Sequence, residues 1–361
     1  MKLTLKIKLL PSDIQTDMLL QTMRESNAAC DAISDIAWHN KLFNQFKLHK
    51  LSYESIRASF NLSAQMVIRC LSKVCDSYKL DKKTNRAFKP LGAIAYDSRI
   101  LTYKNGIASI WCIGGREKMP FVCHNQKYIP YIKGEADLIY KKGKFYLFQT
   151  CEVPEEDLHE VDEFIGVDFG CTDIVATSDN QIVSSKWVND YRVKREKIRS
   201  SIQRKGTKSS KKLLKRLSGK EKTTAKIINH TISKELVLRA KEQGNGIAIE
   251  NLTHIRSRTE KKVRKKQRGL RSKWTYNQLR QFITYKCQLN GVKLVVINPA
   301  YTSQTCHSCM CIGKRNSKNF FCKTCGNYDA DINAAKVISL VGLSVNQPEK
   351  ASICSCQLHR A

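Results

Sequence analysis

Residues 301–338, YTSQTCHSCMCIGKRNSKNFFCKTCGNYDADINAAKVI, decide how this chain is read. They hold two Cys-x-x-Cys pairs, Cys306/Cys309 and Cys322/Cys325, separated by twelve residues. Each pair aims two thiolates at one point, and two pairs close a tetrahedron around zinc. Gly326 suits the tight turn behind the second pair, and the Lys and Arg residues of the loop favour ionised thiolates. A knuckle this short has no core of its own, so the metal supplies its folding energy. His307 and Cys311 are surplus to a four-ligand site and are expected at the surface. Directly behind come Asp329 and Asp331, running into Asn333-Ala334-Ala335. An acidic site is spliced against a small structural metal knuckle.

Two further acids belong with Asp331. The run Phe164-Ile165-Gly166-Val167-Asp168-Phe169-Gly170 reads as a buried strand ending in a turn, with residues 174–177 as its antiparallel partner. Gly246-Ile247-Ala248-Ile249-Glu250 reads as a second apolar strand, and residues 292–297 as a third. Asp168 and Glu250 each close an apolar strand, and an α/β sheet gathers such positions at the carboxyl edge of neighbouring strands. Asp331 opens an apolar helix reaching Ile338 and can close over the same edge. Converging carboxylates repel one another unless a divalent cation lies between them. Hard oxygen ligands suit Mg2+ or Mn2+, and such ions serve phosphodiester hydrolysis.

Each acid taken singly has a plainer reading: a turn residue, a surface strand end, an ordinary N-cap. Spaced as strand, strand and helix in a basic chain, the joint reading is the stronger one. Asp168-Phe169-Gly170 is also the kinase tripeptide, but no Gly-rich loop or His-Arg-Asp loop precedes it. Residues 165–172 resemble the first phosphate loop of actin-like ATPases, whose second, Gly-rich phosphate loop is missing here.

The chain has 361 residues and a formal net charge of +31. Residues 1–160 carry 24 basic and 17 acidic side chains, residues 161–361 carry 39 and 15. The excess therefore lies with the acids and the knuckle, and it points to a polyanion partner, most simply nucleic acid. Residues 186–226 hold 16 basic and 3 acidic side chains, residues 254–273 hold 10 and 1. Arg192, Arg195, Lys197, Arg199, Lys211 and Lys212 in the first stretch, read as a long basic helical region, are candidate nucleic-acid contacts. Arg264, Lys265 and Arg268 are candidates in the second. Trp274 and Tyr276 are expected in the core rather than stacked on bases. Fifteen cysteines, no secretory pattern and no 18-residue apolar run predict a reducing, cytoplasmic setting. Cys70, Cys112 and Cys151 are expected as reduced core residues. Cys354 and Cys356 have no assigned role.

Residues 2–9 alternate as a half-buried strand, Pro11-Ser12-Asp13 breaks it, and residues 14–78 carry apolar residues at helical spacing, with a second helix start at Leu62-Ser63. Residues 92–153 change to short alternating runs, with a hairpin turn at Lys141-Lys142-Gly143-Lys144. This predicts a small antiparallel barrel, completed by the first strand and interrupted by a helical insertion.

The ordered set GVDFG (166–170), AIENL (248–252), YTSQTCHSC (301–309), CKTCG (322–326) and DADINAA (329–335) resembles TnpB, the transposon-encoded RNA-guided nucleases related to compact type V CRISPR effectors. KIKLLPS near the start, LSAQM at 62–66 and GKFYLFQTCEV at 143–153 agree, so the resemblance covers roughly residues 1–340. It implies a multidomain α+β chain: a ribonuclease H-like RuvC nuclease domain (158–300 and 327–342) with an inserted zinc ribbon (301–326), and a split wedge β-barrel (1–10 and 92–157) with an inserted helical recognition lobe (11–91). Residues 343–361 are expected as a flexible tail. The resemblance also implies catalytic Asp168, Glu250 and Asp331 binding Mg2+ or Mn2+, and structural Zn2+ on the four cysteines. Guide RNA from the transposon end would pair with double-stranded target DNA beside a short adjacent motif, in a nucleoid-associated prokaryotic setting. A guided repressor or transposon accessory factor without cleavage is the alternative, and it calls for a missing acid. An unguided junction resolvase would lack the barrel and helical lobe. A transposase would need an end-recognition domain, and none is evident.

Overall fold

In this computed structural model, residues 1–170, 173–252 and 276–346 are described. The chain forms two units, residues 1–154 and 155–361.

The first unit contains seven strands among its described residues: β1 (Lys2–Leu9), β2 (Ile94–Tyr96), β3 (Leu101–Lys104), β4 (Ile107–Cys112), β5 (Gly115–Cys123), β6 (Ile132–Lys141) and β7 (Lys144–Glu152). Leu5, Ile7 and Leu9 bury one face of β1, as period-two alternation requires. β1 pairs antiparallel with β7, Ile7 opposite Leu147, and with β5, Ile7 opposite Cys123. The sheet order is β2-β6-β7-β1-β5-β4-β3. At the β6–β7 hairpin Lys142 and Gly143 both take positive φ, 54° and 72°. Asn105 and Gly106 do the same between β3 and β4, the backbone that matches strand twist in a two-residue turn.

Three helices, α1 (Asp13–His39), α2 (Gln45–Ser59) and α3 (Ala64–Leu80), stand between β1 and β2. Ser12 and Gln15 form a capping box at the head of α1, and the Ser63 hydroxyl caps α3. The periodicity of residues 14–78 conceals a further break. Asn40 closes α1, and the Asn44 side chain accepts from Phe46 N and Lys47 N to open α2. Cys70, Cys112 and Cys151 are free and buried.

The second unit holds β8 (Phe164–Asp168), β9 (Asp173–Thr177), β10 (Ile182–Ser184), α4 (Lys186–Lys205), α5 (Lys208–Glu242), β11 (Gly246–Glu250), α6 (Tyr276–Leu289) and β12 (Leu294–Ile297). It continues with β13 (Lys314–Asn316), β14 (Asn319–Cys322), β15 (Gly326–Asp329) and α7 (Ala330–Asn346). The five-stranded sheet runs β10-β9-β8-β11-β12. β9 is antiparallel to β8 and β10, whereas β8, β11 and β12 are parallel. β11 is buried along its whole length because both faces are covered. Ile165, Val167, Ile247 and Ile249 pack with Ile232 and Leu236 of α5 and Leu279 and Ile283 of α6. Phe164 and Ala248, on the opposite face, pack with Ile338 of α7.

At Gly166 the contact of α7 with β8 is main chain to main chain. A Cβ at Gly166 would lie closer than 3.0 Å to Ala335 O and Ser339 N. Gly166→Ala therefore forces the helix off the strand. We expect it to cost roughly 1–3 kcal/mol, the usual range for overpacking, read as a lower denaturation midpoint of the purified chain. An unchanged midpoint would show that α7 is not seated there.

Residues 186–226 are helical, as expected, in two helices: Gly206, at φ 65°, ends α4, and the Thr207 hydroxyl opens α5. Glycine takes this left-handed position at a helix end without a steric penalty. The first residues of the expected tail are also helical, since α7 runs to Asn346. Residues 347–361, with Cys354 and Cys356, lie outside the described residues, as do 253–275.

Candidate active site and metal centre

Asp168 and Glu250 close neighbouring parallel strands. Val167 pairs with Ile249, so the two acids stand one step further on, at the carboxyl ends of β8 and β11. Asp331 enters from α7. The helix is capped by Asp329, whose Oδ1 accepts from Asp331 N and Ile332 N, each at 3.0 Å. Asp331 is thus relieved of the capping role that its position at the helix start suggests.

The three acids feel one another. Burial pushes the Asp168 carboxyl up to about 7, the Glu250 and Asp331 charges add to the rise, and Arg315 opposes it. Burial also raises Glu250, while a hydrogen bond donated by Thr302 to its Oε1 and the charge of Arg315 act the other way. Arg315 forms an ion pair with the buried Asp331. Nearby, Lys318 Nζ lies 2.5 Å from Oδ2 of the buried Asp173. Oxygen donors of this kind fit Mg2+ or Mn2+ by chemistry. The carboxylates do not, however, close to the spacing of a finished ion cage. Among the described residues, only the four cysteines form such a group.

The raised carboxyl has a consequence for stability. A folded-state carboxyl that holds its proton more tightly than the unfolded chain is most favourable at low pH. Its contribution is lost as pH climbs from about 4 towards about 7. The Asp168→Asn side chain does not titrate. We expect the stability difference between this variant and the parent, both free of metal, to widen in the variant's favour between pH 5 and pH 8. The difference should reach the order of a few kcal/mol. Urea unfolding at both pH values checks this, and a pH-independent difference would contradict it.

The four thiols suit zinc. The Sγ atoms of Cys306, Cys309, Cys322 and Cys325 lie within 4.8 Å of one another, with Cys309 and Cys322 3.5 Å apart. Tetrahedral zinc with bonds of about 2.3 Å needs sulfurs separated by roughly 3.8 Å. The backbone N–H groups of Cys325 and Thr324 hold the Cys322 thiol down to about 7. The hydrogen bond with Cys309 pushes Cys325 up to about 12, and burial raises Cys306. Cys322 is therefore the thiol readiest to ionise as a ligand. β13, β14 and β15 form a three-stranded antiparallel sheet beside the site, with Phe320 buried. The knuckle thus extends to Asp329, three residues beyond its expected end.

His307 is neither a spare ligand nor an idle surface residue. Its backbone N and ring Nδ1 lie 3.0 and 2.9 Å from Asn333 Oδ1, and Asn333 Nδ2 donates to Thr305 O at 2.7 Å. Asn333 therefore clamps the first Cys-x-x-Cys turn onto α7. Cys311 is exposed, as expected. The motif DADINAA contains Asn333 and gives no hint of this role. Thr302, Arg315 and Lys318 are likewise missed, because nothing in the sequence shows which hydroxyl or cation meets a buried acid.

Of the basic candidates, Lys197, Lys211 and Lys212 are exposed, while Arg195 and Arg199 are half-buried. The Arg195 guanidinium lies 5.0 Å from the Tyr191 ring. Arg192 belongs to α4, but its side chain lies outside the description, as do Arg264, Lys265, Arg268 and Trp274. Tyr276 packs against the sheet core. No described helix is long and apolar enough to cross a membrane.

Residues 276–338 match the family model described as Cas12f1-like, TNB domain. The chain is 30% identical over 213 residues to the CRISPR-associated endodeoxyribonuclease Cas12f2 of a Micrarchaeota archaeon, covering 54% of this chain and 38% of that one. It is 31% identical over 164 residues to TnpB-like protein MJ0751 of Methanocaldococcus jannaschii, covering 45% and 58%. The matches thus span about half the length of these relatives, or less. A solved Cas12f1-sgRNA-target DNA complex aligns over 94% of this chain and 99% of that one, at 16% identity and a TM-score of 0.42. The two sequence matches agree with the motif order along the chain: over about half its length it is similar to TnpB-like proteins and to compact type V effectors.

Proposed function

We propose that this chain is an RNA-guided, divalent-metal-dependent DNA endonuclease that cuts double-stranded target DNA beside a short adjacent motif. The observation that carries the reading is the parallel register of β8 and β11, which sets Asp168 beside Glu250. The sheet, three antiparallel strands followed by two parallel ones, supports a ribonuclease H-type, RuvC nuclease domain. The antiparallel sheet of the first unit, with three helices inserted after its first strand, supports a split wedge barrel carrying a recognition lobe.

In this reading Asp168, Glu250 and Asp331 hold Mg2+ or Mn2+, which when bound supplies an activated water and charge neutralisation at the leaving oxygen. Thr302 orients Glu250, and the Asp329 cap fixes the approach of Asp331. Zinc on the four cysteines holds the ribbon. The exposed basic faces of α4 and α5 hold the sugar–phosphate backbone of a guide–target heteroduplex, where base pairing rather than side chains reads sequence. Guide RNA from a transposon end and a nucleoid setting in the cytoplasm complete the reading. A guided repressor is disfavoured because all three acids are present.

The test is to purify the chain with its RNA, sequence that RNA, and offer plasmids carrying the matching target beside a randomised flank, with Mg2+. Cleavage confined to matched targets with one flanking motif is expected. Equal cleavage after RNA removal, or no RNA at all, would overturn the guided reading.

A further inference from the structure

Arg315 touches the acid that the proposed metal site needs. It reaches Asp331 from β13 of the zinc ribbon, and its Nη2 forms an ion pair with Oδ1 of a carboxylate that is only 9% exposed. The same guanidinium opposes the rise in the Asp168 carboxyl, so its charge is felt at the neighbouring strand end too. The hairpin that carries it is fastened twice. Lys318, across the turn, pairs with the buried Asp173, and Lys318 O accepts from Ala330 N at 2.7 Å. Ser317, at φ 56°, makes the turn between the two cations. The guanidinium is thus aimed at Asp331 by its fold, and not by the wandering of a long side chain.

A carboxylate held by a guanidinium in a partly buried site is already neutralised, and a divalent cation arriving there meets a like charge. We propose that Arg315 and a divalent cation are alternative occupants of the Asp331 carboxylate. The ribbon hairpin then acts as a built-in placeholder: it keeps the acids compatible with folding before metal arrives, and it raises the metal concentration needed to load the site. The inference rests on the metal-binding reading of Asp168, Glu250 and Asp331. Arg315 acts through Asp331, and its test does not depend on cleavage.

The test is calorimetric titration of Mn2+ into the full chain without target DNA, with zinc content measured in parallel to show that the ribbon is intact. Arg315→Gln should bind Mn2+ about tenfold more tightly than the parent, the size expected from removing one charge-assisted competitor. Lys314→Gln removes the same charge one residue away, on an exposed side chain, and should bind as the parent does. Asp331→Asn placed in the Arg315→Gln background should cancel the gain. Equal affinity in the parent and Arg315→Gln, or an equal gain in Lys314→Gln, would overturn the competition and leave the acid site standing. No Mn2+ binding in any variant would overturn the inference together with the metal site beneath it. Loss of zinc from Arg315→Gln would move the comparison to Arg315→Met, which removes the charge but keeps an apolar stem. Tighter Mn2+ binding in that variant supports the competition, and parent-like binding rejects it.

Discussion

Asp168→Ala should abolish target cleavage while guide RNA and target DNA remain bound. Asp168 is the acid on which both other carboxylates act. Its strand lies between β9 and β11, so its backbone is held from both sides when the side chain is removed. A metal acting as a Lewis acid lowers a phosphoryl-transfer barrier by several kcal/mol, so losing a central ligand should cost about 1,000-fold or more in rate. Binding should change little, because heteroduplex affinity comes from Lys and Arg contacts to the backbone. Single-turnover cleavage of a labelled target, alongside a filter-binding measurement on the same preparation, separates the two. Undiminished cutting by the purified variant would remove Asp168 from the site, and a parallel loss of binding would make it a folding residue.

Removing zinc should have the second largest effect. The ribbon's own apolar cluster is small: Cys306, Phe320, Cys322 and Ala330 are its buried members. Structural zinc supplies about 10–16 kcal/mol to such a fold, far more than one phenylalanine ring. Cys306→Ser with Cys322→Ser should therefore leave less than one zinc per chain and strip amide-exchange protection from β13, β14 and β15. Protection in β8 and β11 should persist, because their core consists of apolar contacts with α5, α6 and α7. Arg315, Lys318 and His307 would lose their fixed positions together, and cleavage should fall with them. Full protection of the ribbon in a zinc-free variant would show that it folds without metal.

Much of the second unit's frame is legible in the sequence. Two wholly apolar runs ending in acids mark buried parallel strands, because only strands covered on both faces can dispense with alternation. The hairpin at Lys142-Gly143 is legible from its turn chemistry. The break between α1 and α2 is not, because residues 40–44 contain neither glycine nor proline, and an asparagine cap follows a run of apolar spacing that continues on both sides. Gly206 stands in plain view, but one glycine in a basic, helix-favouring stretch does not announce a left-handed end. The acids can be placed on strand ends and a helix start, whereas the groups beside them cannot be found this way. Arg315 and Lys318 are two cations in a loop full of them, and only the folded hairpin sets them against Asp331 and Asp173. Asn333 reads as helix interior, yet it makes the clamp to His307.

The glycine contact between β8 and α7 bears on how this protein can change over time. Carbonyl and amide groups there touch a strand that has no side chain at Gly166, so at that point no adjustable atoms stand between strand and helix. Substitutions among the surrounding aliphatic residues can loosen or tighten the interior without resetting that separation. Variation around the proposed acid site is therefore channelled into the ribbon hairpin, where new charges on exposed side chains meet the least resistance.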